Sequence, residues 1–506
     1  FDGIIVTGKA PSPVYLWICD SHVEIRDAKH VWGMDTYVGS HALRAETDPN
    51  AAVSIIGPAG ERGVAIAGIF TDGTEGRAAA RCGLGAVQGS KNLKAIVVRG
   101  TSRPPVVSRD RLVSSVKSML PSIVQKSEAL GMLGTSRLVI PCEQLGDLPI
   151  KNWLLGRWPD GAKKISGQTM KETILTGRYH CAGCAVGCGR RVKVDEGPFS
   201  PVSGAGPEYE TLGVMGEGCL VDNLEAIAYA NELCNRYGLD TIEVGGAASF
   251  AMEAFERGLL TQKDTDGVAL RWGDPNALVH VVKLIGEARG LGKVLGGGLR
   301  IAAQALGGQA TEFALHVKGL ALPAHDPRAY NSIALGYATS NRGACHLQAF
   351  SHIFERAAAL PDIGISSQDR FSWSGKGELV AKAQNLMAVL DSLCVCKFTL
   401  TGGVTPTLLS EWLNLVTGWD MDVAELMKCG DRAFNLKRMF NVRCGVSRKD
   451  DTLPGRILTH TRGEGGAADN LPPLNIMLSD YYQYRGWTEF GVPATTTLAE
   501  LGIADR

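Results

Sequence analysis

The tightest grouping of reactive side chains is Cys181-Ala-Gly-Cys184-Ala-Val-Gly-Cys188, three thiols on one glycine-containing loop. Thiolates at this spacing can reach one metal centre, and a tetrahedral or cubane site then needs a fourth ligand from elsewhere. Cys394 and Cys396 are the natural donors. A compact zinc module would present a second close pair, whereas a trio with a remote cysteine favours a [4Fe–4S] cluster. Thiols buried for packing alone would not need so regular a spacing.

A second candidate is the run from Arg77-Ala-Ala-Ala-Arg81-Cys-Gly83 through Gly85 and Gly89 to Lys91 and Lys94. Glycines that admit close backbone approach, flanked by four cations, suit phosphate groups. The alternative is a glycine-rich turn leading into a strand at Lys94. A dinucleotide site would place an acid about 20 residues on. Val98-Arg99-Gly100-Thr101 stands there instead, which disfavours nicotinamide.

Further on, Gly206-Pro-Glu208-Tyr-Glu210-Thr alternates two carboxylates about an aromatic. One could face a cavity, or both could cap the following helix. Asn341-Arg342-Gly-Ala-Cys-His346 sets an imidazole and a guanidinium near flexible backbone, with His352 close behind. Asp391-Ser-Leu-Cys394-Val395-Cys396 loosely echoes Asn235-Arg-Tyr-Gly238-Leu239-Asp240, as two similar loops gripping two similar ligands would.

The elements that must hold these residues change character along the chain. Gly3–Gly8, Pro13–Ile18, Val23–Arg26, Ala51–Ile56 and Lys94–Arg99 read as short strands between turns. From Ser108 the apolar spacing becomes helical, with clear helices over 224–237, 246–257, 276–288 and 378–390. The loop Leu322-Pro-Ala-His-Asp-Pro-Arg328 reads as a boundary between helical portions.

The 506 residues suffice for about three domains. Fifty-two basic residues balance 52 acidic ones, so no overall field favours nucleic acid or an acidic membrane surface. The chain has 45% hydrophobic and 21% charged residues, as in a packed enzyme. Its 62 glycines are an excess without a collagen period, which implies tight turns or backbone held near something bulky. No apolar run is long enough to span a membrane, and one cysteine cluster among scattered thiols fits a reducing, cytoplasmic setting.

Taken together, these segments resemble the tungsten-containing aldehyde:ferredoxin oxidoreductase family. The resemblance runs from Phe1 to the end, through Gly83–Ala95, the cysteine trio, Gly-Pro-Glu-Tyr-Glu-Thr, Tyr-Gly-Leu-Asp-Thr-Ile, Asn-Arg-Gly-Ala-Cys-His-Leu, Asp451-Thr-Leu-Pro and Arg485-Gly-Trp-Thr-Glu. It implies an α+β fold in which an N-terminal β-rich, pterin-binding domain precedes two mainly α-helical domains enclosing a bis-pterin metal cofactor. The β domain would span 1–105 and be truncated at its start. The helical domains would span 106–315, with the trio and first pterin loop, and 316–506, with the second loop and fourth cluster cysteine.

By the same resemblance Cys181, Cys184, Cys188 and Cys396 would ligate the [4Fe–4S] cluster. Asn235, Leu239, Asp240, Asp391 and Val395 would grip the pterins. Arg77, Ala78, Ala80, Arg81 and Arg342 would add contacts to pterin or to the Mg2+ bridging its phosphates. Glu210 and His346 match the catalytic acid and histidine. The metal would be tungsten, or molybdenum, which pterin dithiolenes also bind. The implied reaction is oxidation of a small aldehyde, with water, to a carboxylic acid, electrons passing singly to ferredoxin or an iron–sulfur subunit.

The chain departs from the family pattern in several places. Asn235 replaces a leading Asp, Cys394 and Val395 replace Gly and Leu, and Gln348 replaces a lysine. Where some members hold a dimer-bridging iron with Glu-x-x-His, this chain has Tyr229-Ala-Asn-Glu232, and the second histidine position is Val279, next to His280. A homodimer would therefore lack that iron. Two other readings are reduction of a carboxylate or acyl-CoA by a related tungsten enzyme, and a cofactor-depleted electron-transfer subunit.

Overall fold

Alternation of apolar and polar residues at the start of the chain produces a sheet with one face on a core. In the computed structural model, which describes residues 3–503, β1 (Val14–Cys19) pairs antiparallel with β2 (His22–Asp27) and parallel with β6 (Leu93–Arg99). Then β3 (Ala52–Ile55), β4 (Ile69–Thr71) and β5 (Arg77–Ala79) complete the order β2-β1-β6-β3-β4-β5. Tyr15, Trp17, Val53, Ile55, Phe70, Ala95 and Val97 alternate inward and pack on Leu43 of the helix Thr36–Glu46. The expected strand at Gly3–Gly8 does not form, and Ile5 is exposed. It has local strand propensity but no strand to pair with, and pairing supplies most of a strand's stability.

The described residues divide into two units, each assembled from separate stretches. The first joins this sheet, up to Arg103, with Asp160–Tyr179 and Gly189–Ala314. It also contains an antiparallel sheet of β7 (Leu175–Tyr179), β8 (Gly189–Val194) and β9 (Val202–Ala205), and the helices Leu224–Tyr237, Thr241–Glu256 and Pro275–Glu287. The second joins Pro104–Pro159, His180–Cys188 and the chain from Leu315 on. It is mainly helical. Its central helix Lys376–Ser392 is sheathed by Asn331–Thr339, Val423–Arg443 and Leu474–Arg485. The architecture is thus a β-rich N-terminal region followed by a helical remainder.

Two late motifs have structural roles in the second unit. Asp451 accepts from the two terminal guanidinium nitrogens of Arg438 at 2.9 and 2.7 Å, both residues being buried, and lies 2.8 Å from Lys318 Nζ. Arg485 donates to Gln384, Asn385 and Asp431 at 2.6–2.8 Å. The loop Leu322–Arg328 is also interior: Asp326 and Arg328 are fully buried and paired at 2.7 Å.

The two loops that echo each other in sequence are the same kind of helix end. In the first unit Asn235 lies in the last turn of Leu224–Tyr237, Gly238 turns at φ +77°, and Leu239 N donates to Cys234 O at 2.8 Å. In the second unit Asp391 lies in the last turn of Lys376–Ser392, Cys394 turns at φ +53°, and Val395 N donates to Leu390 O at 2.9 Å. A left-handed residue at this position costs a Cβ-bearing side chain about 1 kcal/mol. Cys394→Gly is expected to raise the unfolding free energy by about that amount, read as a higher midpoint in urea.

A further constraint is Glu217, fully buried at the end of the π-helix Leu212–Glu217, with neither carboxylate oxygen hydrogen-bonded. Burial pushes its carboxyl up to about 8, only slightly opposed by its own backbone. Between the ordinary carboxyl range and that value the folded chain holds a proton the unfolded chain has lost. Stability therefore falls as pH rises through this window, by up to about 1.4 kcal/mol per pH unit. Glu217→Gln should remove this slope: melting temperatures should match near pH 4.5 and favour the variant at pH 8.5.

Candidate functional site

In the first unit the sequence-predicted residues gather around the end of the helix Leu224–Tyr237. Residue 67 bridges residue 239 in antiparallel fashion, Gly68 N donates to Gly238 O at 2.9 Å, and Asp240 N donates to Ile66 O at 3.1 Å. Gly68 also lies against Ala80, and Gly76 against the Asn235 amide. Arg81, with 8% of its side chain exposed, reaches Asp240 Oδ2 and Glu243 Oε1, both at 3.3 Å. Asn235, Leu239, Asp240, Ala80 and Arg81 thus belong to one neighbourhood, with β5 carrying Arg77 and Ala78 into it.

The chemistry of this donor set fits a pterin. An amide, a carboxylate, a guanidinium and open backbone supply both donors and acceptors for a heterocycle edge. The helix Leu84–Ser90 lies so close to the neighbouring backbone that a Cβ on Gly89 would sit 2.0 Å from Gly60 O. The glycines of this run therefore serve packing as well as any ligand. Two of the four cations read as phosphate partners are also committed elsewhere. Lys94 is fully buried, ion-paired with Glu61 and bonded to Met34 O at 2.8 Å, while Lys91 donates to Gly8 O at 3.0 Å.

Glu208 and Glu210 have different surroundings. Glu208 Oε1 accepts from Arg77 Nη1 at 3.2 Å, and Arg77 also stacks over the Tyr179 ring at 5.3 Å. Glu210 is half-buried on the short helix Tyr209–Thr211, which runs directly into the π-helix ending at Glu217. Such π-turns are frequent at functional sites. At the place of the family's bridging iron, Glu232 is bonded to Arg236 at 2.7 Å and His280 Nε2 to Thr265 O at 3.0 Å.

In the second unit Cys181 and Cys396 are exposed and Cys184 and Cys188 half-buried. Cys184, Cys188 and Val395 flank one apolar cluster that includes Val186, Phe350 and Leu390. Val186 N already donates to Cys184 Sγ at 3.3 Å, the kind of backbone contact that tunes an iron–sulfur thiolate. Among the described residues, the set of three metal-capable atoms within 4.8 Å of one another is Cys142, Asp147 and His325.

His346 is buried at the start of the short helix His346–Ala349. Just before it, Arg342 Nη2 lies 2.7 Å from Cys345 Sγ, and Gln348 locks the turn by accepting from Ser340 Oγ and Asn341 N at 2.5 and 2.9 Å. His325 stands beside His346, with ring centres 5.7 Å apart, and its Nδ1 is 2.7 Å from Asp147 Oδ2. Sequence reasoning missed this pair because Asp147 and His325 are 178 residues apart. The one available signal was a histidine inside a proline-bounded loop. Two surface clefts, about 420 Å³ near Tyr37, Arg44 and Arg191 and about 740 Å³ near Arg448 and Asp451, contain none of the expected site residues.

Comparison with known proteins identifies the family of the chain. Residues 1–100 match the N-terminal domain of aldehyde ferredoxin oxidoreductase, and residues 111–503 match its domains 2 and 3. The chain is 36% identical over 516 residues to the tungsten-containing aldehyde ferredoxin oxidoreductase of Pyrococcus furiosus, covering all of this chain and 82% of that protein. It is 30% identical to the same organism's aliphatic sulfonate oxidoreductase, WOR-like subunit, covering all of this chain and 81% of the relative. Among solved structures, the active site complex BamBC of benzoyl coenzyme A reductase shares the fold with a TM-score of 0.82 at 23% identity, over 98% of this chain and 80% of that one. No helix among the described residues is long and apolar enough to cross a membrane. The chain belongs to the aldehyde ferredoxin oxidoreductase family and is an oxidoreductase.

Proposed function

We propose that this enzyme oxidises small aldehydes with water to carboxylic acids, releasing two protons and two electrons per turnover. The observation that carries the reading is the pair of matching helix ends. Each presents a polar residue in its last turn, Asn235 or Asp391, and an apolar one after a left-handed turn, Leu239 or Val395. Two equivalent loops suit two equivalent pterins. When bound, a bis-pterin tungsten centre would supply the two-electron chemistry and a [4Fe–4S] cluster the one-electron transfer to ferredoxin or a partner subunit.

The roles of the chain's own residues follow from their chemistry. Asn235 and Asp391 would take hydrogen bonds from pterin amines, Asn235 without adding charge. Arg77, Arg81 and Arg342 would offer guanidinium donors, and the backbone at Ala78 and Ala80 further contacts, to the pterins and their phosphates, whose charge a Mg2+ would help to neutralise. Cys181, Cys184, Cys188 and Cys396 would ligate the cluster. Glu210 would take a proton from the attacking water as general base, and His346 would hydrogen-bond the aldehyde oxygen or receive a proton.

The reductive direction is the competing reading, supported by the fold shared with a benzoyl coenzyme A reductase. Assays in both directions separate the two. Purified holoenzyme is expected to reduce a viologen with small aldehydes and to leave an aromatic acyl-CoA unreacted when supplied with reduced viologen; the opposite pattern would favour the reductive enzyme. Glu210→Gln is expected to lower aldehyde turnover at least a thousandfold with iron and tungsten content unchanged. Cys188→Ser should lose iron and the reduced-cluster EPR signal, whereas a zinc-bearing protein with no such signal would refute the cluster assignment.

A further inference from the structure

In the second unit the helix Arg109–Lys126 has apolar residues on two faces, one turned inward and one left in water. On the inner face Met119 and Ile123 belong to the apolar cluster that Cys184 and Cys188 flank. A Cβ on Gly402 would lie 2.9 Å from Ile123 Cγ2, and one on Gly403 would lie 2.6 Å from Lys126 Nζ. Those glycines close the short helix Phe398–Thr401, whose Thr399 N donates to Cys396 O at 3.0 Å. The helix therefore shares a core with one segment of expected cluster cysteines and packs on the other.

On the outer face Val113, Val116, Leu120 and Val124 follow one another at helical spacing and form one stripe, each 37–51% exposed. A contiguous apolar stripe left in water and rimmed by charge is the mark of a contact surface. The charge here has one sign. Arg109, Arg111, Lys117 and Lys126 are all exposed, and Asp110 is the one acid of the helix. Among the described residues none of these four cations has an ion-pair partner, although the chain as a whole balances 52 basic with 52 acidic residues. The stripe is about 16 Å long and one helix wide, about 10 Å. That scale suits a transient redox encounter, under about 1,200 Å², and falls short of the roughly 2,000–5,000 Å² of a permanent interface.

We infer that this stripe and its cations are the docking face for the electron acceptor, a small iron–sulfur protein with an acidic surface; this rests on the reading that Cys181, Cys184, Cys188 and Cys396 hold a cluster that exports electrons. The cations steer an acidic carrier onto the face, and the apolar stripe holds it briefly. A second copy of this chain fits worse, since a two-fold contact would set the same cations against each other. Each encounter passes one electron to the carrier's own iron–sulfur centre, and no bond forms or breaks. Two encounters clear the two electrons of one aldehyde oxidation.

The test uses the holoenzyme, an acidic [4Fe–4S] ferredoxin as docking probe, and benzyl viologen, a small cation that needs no protein face, as reference acceptor. In Leu120→Ser, and in Lys117→Glu combined with Lys126→Glu, the KM for ferredoxin is expected to rise about tenfold while the viologen-coupled rate stays within about twofold of wild type. Added salt should raise the wild-type KM for ferredoxin, and raise it less in the charge-reversed variant. Leu436→Ser and Phe440→Ser truncate comparably exposed residues on the helix Val423–Arg443 and should leave that KM unchanged. Calorimetric titration of ferredoxin without aldehyde should rank the Kd values in the same order. A wild type that oxidises no aldehyde yet binds ferredoxin through this helix would sink the aldehyde reading and leave the docking face standing. Unchanged KM and Kd in the helix variants, or equal losses in the two control variants, would overturn the docking face. So would a wild type that binds no ferredoxin, or a wild-type dimer lost in Leu120→Ser with ferredoxin binding intact, because a second copy would then occupy the stripe.

Discussion

A guanidinium with almost no exposed surface must bring its counter-charges with it, and Arg81 does so with Asp240 and Glu243. The arrangement in the first unit follows from that requirement. To place the two acids, the helix Leu224–Tyr237 must end where it does and the next helix must start at Thr241, capped by Asp240 on Ile242 N. The chain around Ala67 can then bridge to Leu239. Removing either acid would leave the largely buried guanidinium with one counter-charge of the two, which weakens the fold around it. At 3.3 Å both contacts are longer than the roughly 2.7–2.9 Å usual for charge-assisted bonds.

The same principle, a polar group held ready by a helix end, recurs in the second unit with different residues. There the left-handed position is filled by Cys394, which accepts conformational strain that glycine would avoid. The pattern that carries over is backbone geometry: a residue in the last turn, a left-handed step, and a hydrogen bond back across it. Sequence similarity between the loops is faint because several side chains can satisfy the same backbone demand. This tolerance also explains how Asn235 can stand where the family pattern has Asp without disturbing the turn.

Most regular elements were legible because their signals are local. The helix Leu224–Tyr237 has Asn223 capping Ala226 N and Gly238 at its end, and the strands of the first sheet alternate with period two. Gly3–Gly8 carries the same local signal and fails because no strand pairs with it. The roles of Asp451 and Arg485 were hidden for the opposite reason. Their partners, Lys318, Arg438, Gln384 and Asp431, are scattered over the chain, and only folding makes their burial and pairing visible. The cysteine trio was legible as a motif because its spacing is local. What surrounds His346 was not, since a pair such as Asp147 and His325 leaves no spacing to read.

Among the described residues, two kinds of buried ionisable group stand out against Asp147. Asp326, Asp451 and Arg438 are each met by opposite charge and behave as structural pairs. Glu217 has no such partner and avoids an unsupported charge by holding its proton, its carboxyl being raised to about 8. Asp147 belongs to neither kind. It shares one oxygen between Arg356 and His325, so its charge is balanced on one side while a titratable ring faces it on the other. A histidine on the same oxygen adds a second donor to the ionised carboxylate and fixes the His325 ring against it, which distinguishes this cluster from the simple ion pairs elsewhere in the fold.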